Sequence, residues 1–268
     1  MLKDITLGQY FPGNSVAHKL DPRTKILLVT LYIIALFSAK GLVGYAVMIA
    51  TLAACVKVSH VGLKSLVRGL KPLVVIIVFT GVLNVFFTPD THYLWEWGIL
   101  RISVKGVENA LFMVVRIMLL VMGTFLMTYT TSPIRLTDGL EFLLNPLKKI
   151  HVPVHELAMM MAIALRFIPT LIEETDKIMS AQKARGADFE SGSLFQKAKA
   201  LVPILVPLFI SAFRRADELA TAMECRCYHG GEGRTKLHVL KYQRRDYVAL
   251  TGGAVILALV VVLRRLGA

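Results

Sequence analysis

The sequence predicts an all-α integral membrane protein of about five transmembrane helices, with a helical section outside the bilayer between spans four and five. Three observations carry this. Hydrophobic residues make up 55% of the 268-residue chain, and its mean hydropathy of +0.61 is high for a soluble domain. The apolar residues gather in continuous runs rather than on alternating faces. Between residues 130 and 246 that pattern gives way to helices that begin apolar and end charged.

Residues 1–25 form a polar N-terminal segment carrying Lys3, Lys19, Arg23 and Lys25. It has no signal-peptide pattern, so the first span is expected to direct insertion itself. Residues 26–130 hold the first four spans: Ile26–Ala39, Gly41–Val56, Pro72–Phe87 and about Val107–Tyr129. Several fall slightly short of the ~20 residues of a perpendicular span, a gap that flanking residues and local bilayer thinning can close. The last span occupies residues 247–268, with its apolar run from Tyr247 to Leu263.

Loop charge sets the orientation. The N-terminal segment and the loop bearing Lys57, Lys64, Arg68 and Lys71 are basic and are expected on the cytoplasmic side. The loop holding Asp90, Trp95, Glu96, Trp97, Arg101 and Lys105 is expected outside, its tryptophans serving as interfacial anchors. Residues 131–246 are then cytoplasmic. Arg264 and Arg265 fall on the far side against the rule, outweighed by the basic loops. The net charge of +13 is accounted for in the same way, and no nucleic-acid module accompanies it.

Ser132-Pro133 predicts a helix start, followed by an amphipathic helix with Leu136, Leu140, Leu143 and Leu144 on one side, ending near Pro146–Ile150. Pro153 opens a second helix through about Ala184. A third runs from about Leu194 to Cys225, with Pro203 and Pro207 early in it. Both long helices are apolar first and charged later. Shifted by 41 positions, Asp176 falls on Asp217, Ala181 on Ala222 and Arg185 on Arg226. Each helix thus ends on an arginine, just ahead of glycine: Ala184-Arg185-Gly186 in one, Cys225-Arg226-Cys227 and then Gly230-Gly231 in the other. Two readings stand. One is ordinary capping, in which a cation meets the helix dipole. The other is a pair of docking prongs, because guanidinium forks match carboxylates bidentately.

The catalytic inventory is empty. Three cysteines, Cys55, Cys225 and Cys227, make no disulfide framework. Cys225, Cys227 and His229 lack the usual ligand spacing and a fourth ligand, so no metal site is expected. Gly8 to Ser15 has Walker A spacing, but Asn14 stands where the phosphate-binding lysine belongs, so the chain is not expected to bind ATP. Arg116 lies within span four, either as a functional group or as a structural one, snorkelling or paired with Glu108 two turns earlier. Asn84 in span three is a candidate interhelical hydrogen-bonder.

Over nearly its whole length the sequence resembles the T component of energy-coupling factor transporters. The residues that carry the resemblance are Gly8-Gln9-Tyr10 through His18-Lys19-Leu20-Asp21-Pro22-Arg23-Thr24-Lys25, Thr130-Thr131-Ser132-Pro133, Leu165-Arg166-Phe167-Ile168-Pro169 and Ala181-Gln182-Lys183-Ala184-Arg185-Gly186. The second Ala-Arg-Gly signature of that family is here Cys225-Arg226-Cys227, which keeps the arginine and leaves open how the helix closes. The resemblance implies a non-catalytic subunit in a prokaryotic plasma membrane that serves vitamin or micronutrient uptake. It implies two partner ABC ATPase subunits, which bind the ATP and dock on Ala184, Arg185, Gly186, Cys225, Arg226 and Cys227. It also implies a substrate-binding S component in the bilayer, held by the apolar half-helices. Arg116, Arg166, Pro169, Pro203 and Pro207 are structural residues or contacts of that component on this view. A dedicated cobalt or nickel importer subunit of the same family is the nearest alternative. Further off stand a membrane enzyme working at Cys225–His229 and a self-contained transporter built on Arg116.

Overall fold

The computed structural model of the chain describes residues 10–88, 93–97, 100–189, 193–231 and 239–266. Gly8 and Gln9 of the opening motif, Lys3 and Asp90 lie outside the described residues. A one-turn helix α1 (Val16–Lys19) precedes α2 (Pro22–Ser38), α3 (Gly41–Ser59) and α4 (Leu63–Leu70), which passes through a 3-10 turn at Lys71–Leu73 into α5 (Val74–Phe87). Strands β1 (Tyr93–Trp97) and β2 (Leu100–Ser103) pair antiparallel, Trp97 opposite Leu100. Then come α6 (Val104–Thr130), α7 (Pro133–Leu144), a 3-10 turn at Asn145–Ile150, α8 (Val154–Ala184), α9 (Leu194–Glu224) and α10 (Arg244–Leu266).

The helical fold is as expected, with the β1–β2 ribbon as an addition where the sequence suggested a plain loop. Its aromatic and β-branched residues suit a pleated strand. Trp95 and Trp97 stand on β1, and their side chains lie outside the described residues. Among the described residues six helical stretches are long and apolar enough to cross a membrane: α3, α4–α5, α6, α8, α9 and α10. The set differs from the expected five in two ways. It includes α8 and α9, and it omits α2, whose 17 residues span only about 25 Å.

The chain forms two units, residues 140–239 and residues 8–139 with 240–268. In the second unit α2, α3, α6 and α10 surround a core of Leu36, Met48, Tyr45, Leu119 and Val260. The Tyr32 hydroxyl donates to the Leu119 carbonyl at 3.0 Å, and Gly123 leaves room for the Tyr32 ring. Outward-facing residues stay apolar, as lipid contact demands: Leu42 is 77% exposed and Val75 76%. Asn84 donates to the Met113 sulfur on α6 at 3.4 Å, so it does reach across helices.

One end of this unit is fastened by buried ions. The Asp21 carboxylate caps α2 by accepting from the Arg23 N–H at 2.9 Å, and it holds the Arg23 guanidinium through Nε at 2.9 Å and Nη2 at 2.7 Å. Arg23 also lies 4.1 Å from the Tyr242 ring centre. The Asp21 N–H donates to Asp246 Oδ1 at 2.8 Å, and Asp246 Oδ2 accepts from the Gln243 N–H at 2.8 Å. Lys25 Nζ donates to the Thr130 carbonyl at 2.8 Å and to Thr131 Oγ1 at 3.0 Å. Arg23, Lys25, Asp21 and Asp246 are all buried. Burial alone would raise the Asp21 carboxyl, but its hydrogen bonds from Arg23 outweigh that and hold it below its ordinary value. Glycine completes the packing, since Gly139 on α7 sits so close to Pro22 and the Arg23 N–H that a Cβ would crowd both. Helix α2 therefore starts at Pro22, ahead of the apolar run at Ile26, with its leading charges satisfied by the protein.

Replacing Asp246 with alanine leaves the buried Asp21 N–H and the Gln243 N–H without their acceptor. The expected loss is about 1–3 kcal/mol for each group that stays dry. Thermal unfolding of the detergent-purified chain should show a clearly lowered midpoint for Asp246→Ala and a smaller drop for Asp246→Asn, which keeps one acceptor oxygen.

Candidate functional site

The unit of residues 140–239 is built around α8 and α9. Helix α8 begins directly after Pro153, and α9 begins with a reciprocal cap: the Ser193 side chain accepts from the Gln196 N–H, and the Gln196 side chain accepts from the Ser193 N–H. Both helices end where the sequence placed them. Pro169 lies inside α8, and Pro203 and Pro207 inside α9, where each removes one ladder hydrogen bond. Arg166, Pro169, Pro203 and Pro207 are all exposed. So are large apolar side chains around them, among them Met160 on α8 and Phe209 and Phe213 on α9.

The polar contacts between the two helices gather on Glu174. Its carboxylate accepts from the Ser211 hydroxyl and from Arg215 Nη2, the latter at 2.8 Å. Glu174 and Arg215 are equivalent under the 41-residue repeat, so like positions of the two helices meet here. Arg185 and Arg226 each stand eleven residues further on, about 16 Å of helix. The two helices thus extend arms of equal length beyond their junction.

The ends of those arms close alike. At the first, the Gly186 N–H donates to Lys183 O at 3.0 Å and the Ala187 N–H to Gln182 O at 3.0 Å. At the second, the Cys227 N–H donates to Glu224 O at 2.9 Å and the Tyr228 N–H to Met223 O at 3.0 Å. Each is a Schellman closure, and the second copies the first at a shift of 41. The left-handed position is held by Gly186 at φ 85° in one and by Cys227 at φ 54° in the other. The sequence left the closure of the second end open, and Cys227 itself takes the strained conformation. Gly231 abuts the His155 ring, leaving no space for a Cβ, and His155 Nδ1 lies 3.0 Å from Glu141 Oε1. This return of the chain onto the start of α8 was not legible in the sequence, because its partners are 76 residues apart.

Arg185 and Arg226 are exposed, and neither has an ion pair among the described residues. Ala184, Gly186, Cys225 and Cys227 beside them are exposed as well, and the two thiols are free. Among the described residues no group of three or more His, Cys, Asp or Glu side chains is arranged to hold a metal ion.

In the other unit Arg116 finds a partner the sequence did not suggest. Its Nε donates to the Tyr45 hydroxyl at 2.8 Å, and the guanidinium lies 5.7 Å from the ring centres of both Phe37 and Tyr45. No ion pair joins it to Glu108. Two aromatic rings and a hydroxyl surround the cation, in place of the carboxylate that was one of the possible partners.

A family model described as cobalt transport protein (CbiQ) matches residues 13–237. Among curated proteins, the chain is 53% identical over 256 residues to the energy-coupling factor transporter transmembrane protein EcfT of Ruminiclostridium cellulolyticum, covering 96% of this chain and 95% of that one. It is 56% identical over 250 residues to the protein of the same name from Clostridium kluyveri, covering 93% of each. The EcfT of Bacillus subtilis is 46% identical over 264 residues, covering 98% of this chain and all of that one.

The shared closure makes a paired prediction. Valine tolerates positive φ poorly, so Gly186→Val and Cys227→Val should each fray the last turn of their own helix, while Cys227→Gly should leave the second end as tight or tighter. Hydrogen exchange of the amides at 183–187 and 224–228 reports this. Equal protection in Cys227→Val and the unaltered chain would contradict the strained closure.

Proposed function

Since the chain belongs to the family of energy-coupling factor transporter transmembrane proteins, a family of multi-pass transporter subunits, we propose that its α8–α9 unit couples two ATPase subunits to a substrate-binding S component for uptake of a vitamin or other micronutrient. The observation that carries this reading is the pair of ends just described. Two equivalent closures each present an exposed arginine, eleven residues beyond a common junction and without an ion pair among the described residues. One such end needs no explanation beyond capping. Two matched ends suit two similar partner subunits, each offering carboxylates to a guanidinium fork.

The apolar parts of α8 and α9 supply the second surface. Their exposed Met, Leu and Phe side chains suit a membrane-embedded partner, which is the S component on this reading. ATP is bound by the ATPases. Their closure draws the two ends together, and the Glu174 junction with Ser211 and Arg215 passes that motion to the apolar halves. On this reading the N-terminus and the two helix ends face the cytoplasm of a prokaryotic cell.

Reversing the tip charges tests the docking. Arg185→Glu combined with Arg226→Glu should abolish co-purification of both ATPases and substrate uptake, and either change alone should weaken them. Stoichiometric co-purification with uptake intact would overturn the reading. Sidedness has its own check, because Cys225 and Cys227 are exposed thiols beside the second end. A membrane-impermeant maleimide should modify them in inside-out vesicles and spare them in intact cells.

A further inference from the structure

Helices α2, α3, α6 and α10 enclose an open groove of about 620 Å³ along the membrane unit. Its wall is hydrocarbon for most of its length, with Leu28, Val29, Leu52, Met127 and Ile256 among the lining residues. Gly252 helps to form it, since a Cβ there would meet nothing within 4 Å, whereas the neighbouring Gly253 is packed against Leu28. In lipid such a groove does not stay empty, because unfilled walls forfeit dispersion contacts on one side.

One end of the groove is cationic. Arg244 and Arg245, in the first turn of α10, belong to its lining. Both are exposed, and neither has an ion pair among the described residues. The nearest carboxylate in sequence does not neutralise them: Asp246 is buried, with one oxygen taken by the Asp21 N–H and the other by the Gln243 N–H. Lys25, also in the lining, is committed to Thr130 and Thr131.

Length decides between occupants. From Arg245 to Ile256 along α10 is about 16 Å, close to one leaflet, or half of the ~30 Å hydrocarbon core. A transmembrane segment of another protein would need a groove about twice as long. We propose that this groove is a binding site for an anionic phospholipid, with the phosphate on Arg244 and Arg245 and one acyl chain running past Cys55 and Gly252 towards Ile256. The site is independent of the docking of ATPases on the α8 and α9 ends, and it is tested on the full chain alone.

Native mass spectrometry of the chain, purified from membranes containing phosphatidylglycerol and phosphatidylethanolamine, should find phosphatidylglycerol retained preferentially. Arg244→Gln with Arg245→Gln should weaken that retention about 30-fold, at the usual contribution of an interfacial cation. Gly252→Leu should displace the lipid by filling the groove while leaving both arginines in place. In a thermal shift assay dioleoyl phosphatidylglycerol should raise the midpoint of the unaltered chain, while dioleoyl phosphatidylcholine and glycerol phosphate should not. Equal retention of the zwitterionic lipid by the unaltered chain would overturn the proposal without recourse to a variant. So would unchanged retention in both variants, or a shift produced by glycerol phosphate alone.

Discussion

The hydrogen bond from the Asp21 N–H to the Asp246 carboxylate joins residues 225 positions apart, and the membrane unit depends on it. Without it the cap of α2 and the first turn of α10 would each bury a polar group that no water can reach. Asp246 cannot be treated as an isolated charge. It sits beside Asp21, which is itself engaged by Arg23, and Lys25 anchors the same turn of α2 to the end of α6. Buried ions are costly unless every oxygen and proton finds a partner. Here the partners come from three separate stretches of chain, so satisfying the charges and closing the unit are one event.

The two arms repeat geometry more faithfully than chemistry. Their closures share a hydrogen-bond pattern at a shift of 41, but glycine holds the left-handed position in one and cysteine in the other. A non-glycine residue there costs roughly 1 kcal/mol, which the second arm accepts without losing the closure. What the repeat preserves is the placement of the arginine one residue before the left-handed turn. That position keeps the arginine exposed at the end of its helix. Retaining the placement while the neighbours vary is what a role for the arginine itself requires.

Much of this was legible in the sequence. The long helices were expected at 153–184 and 194–225 and found at Val154–Ala184 and Leu194–Glu224, because proline, serine and the charge gradient mark their ends locally. The repeat and both arginines followed from the same local signals. The Asp21–Arg23–Asp246 network did not. Arg23 and Lys25 look like the basic flank of a first span, and only the fold brings Asp246 to them. Arg116 was misleading for the opposite reason. Glu108 stands two turns away on the same helix and was one possible partner by sequence, yet the Arg116 guanidinium donates to Tyr45 on α3. Pairings along one helix can be read from spacing, whereas pairings between helices depend on packing that spacing does not encode.

The polarity of α8 and α9 varies along their length as much as around it. An ordinary surface helix hides one face, but these expose apolar side chains on several sides of their apolar stretches, Leu205 at 55% and Phe209 at 65% among them. Such a surface exceeds what a soluble protein leaves to water. It also does not continue to the helix ends, where Glu173, Asp176, Lys177 and Lys183 on α8 and Arg214, Asp217 and Glu218 on α9 take over. A helix graded in this way has one half suited to lipid or a lipid-embedded partner and one half suited to water. Length and mean hydropathy rank α8 and α9 with the other candidate spans, and the gradient sets their charged ends apart: a full crossing would place four or more charges of each helix in hydrocarbon. On the proposed reading the Glu174 junction lies where the two regimes meet. The arms beyond it are free to engage soluble subunits, and the apolar halves before it remain with the bilayer.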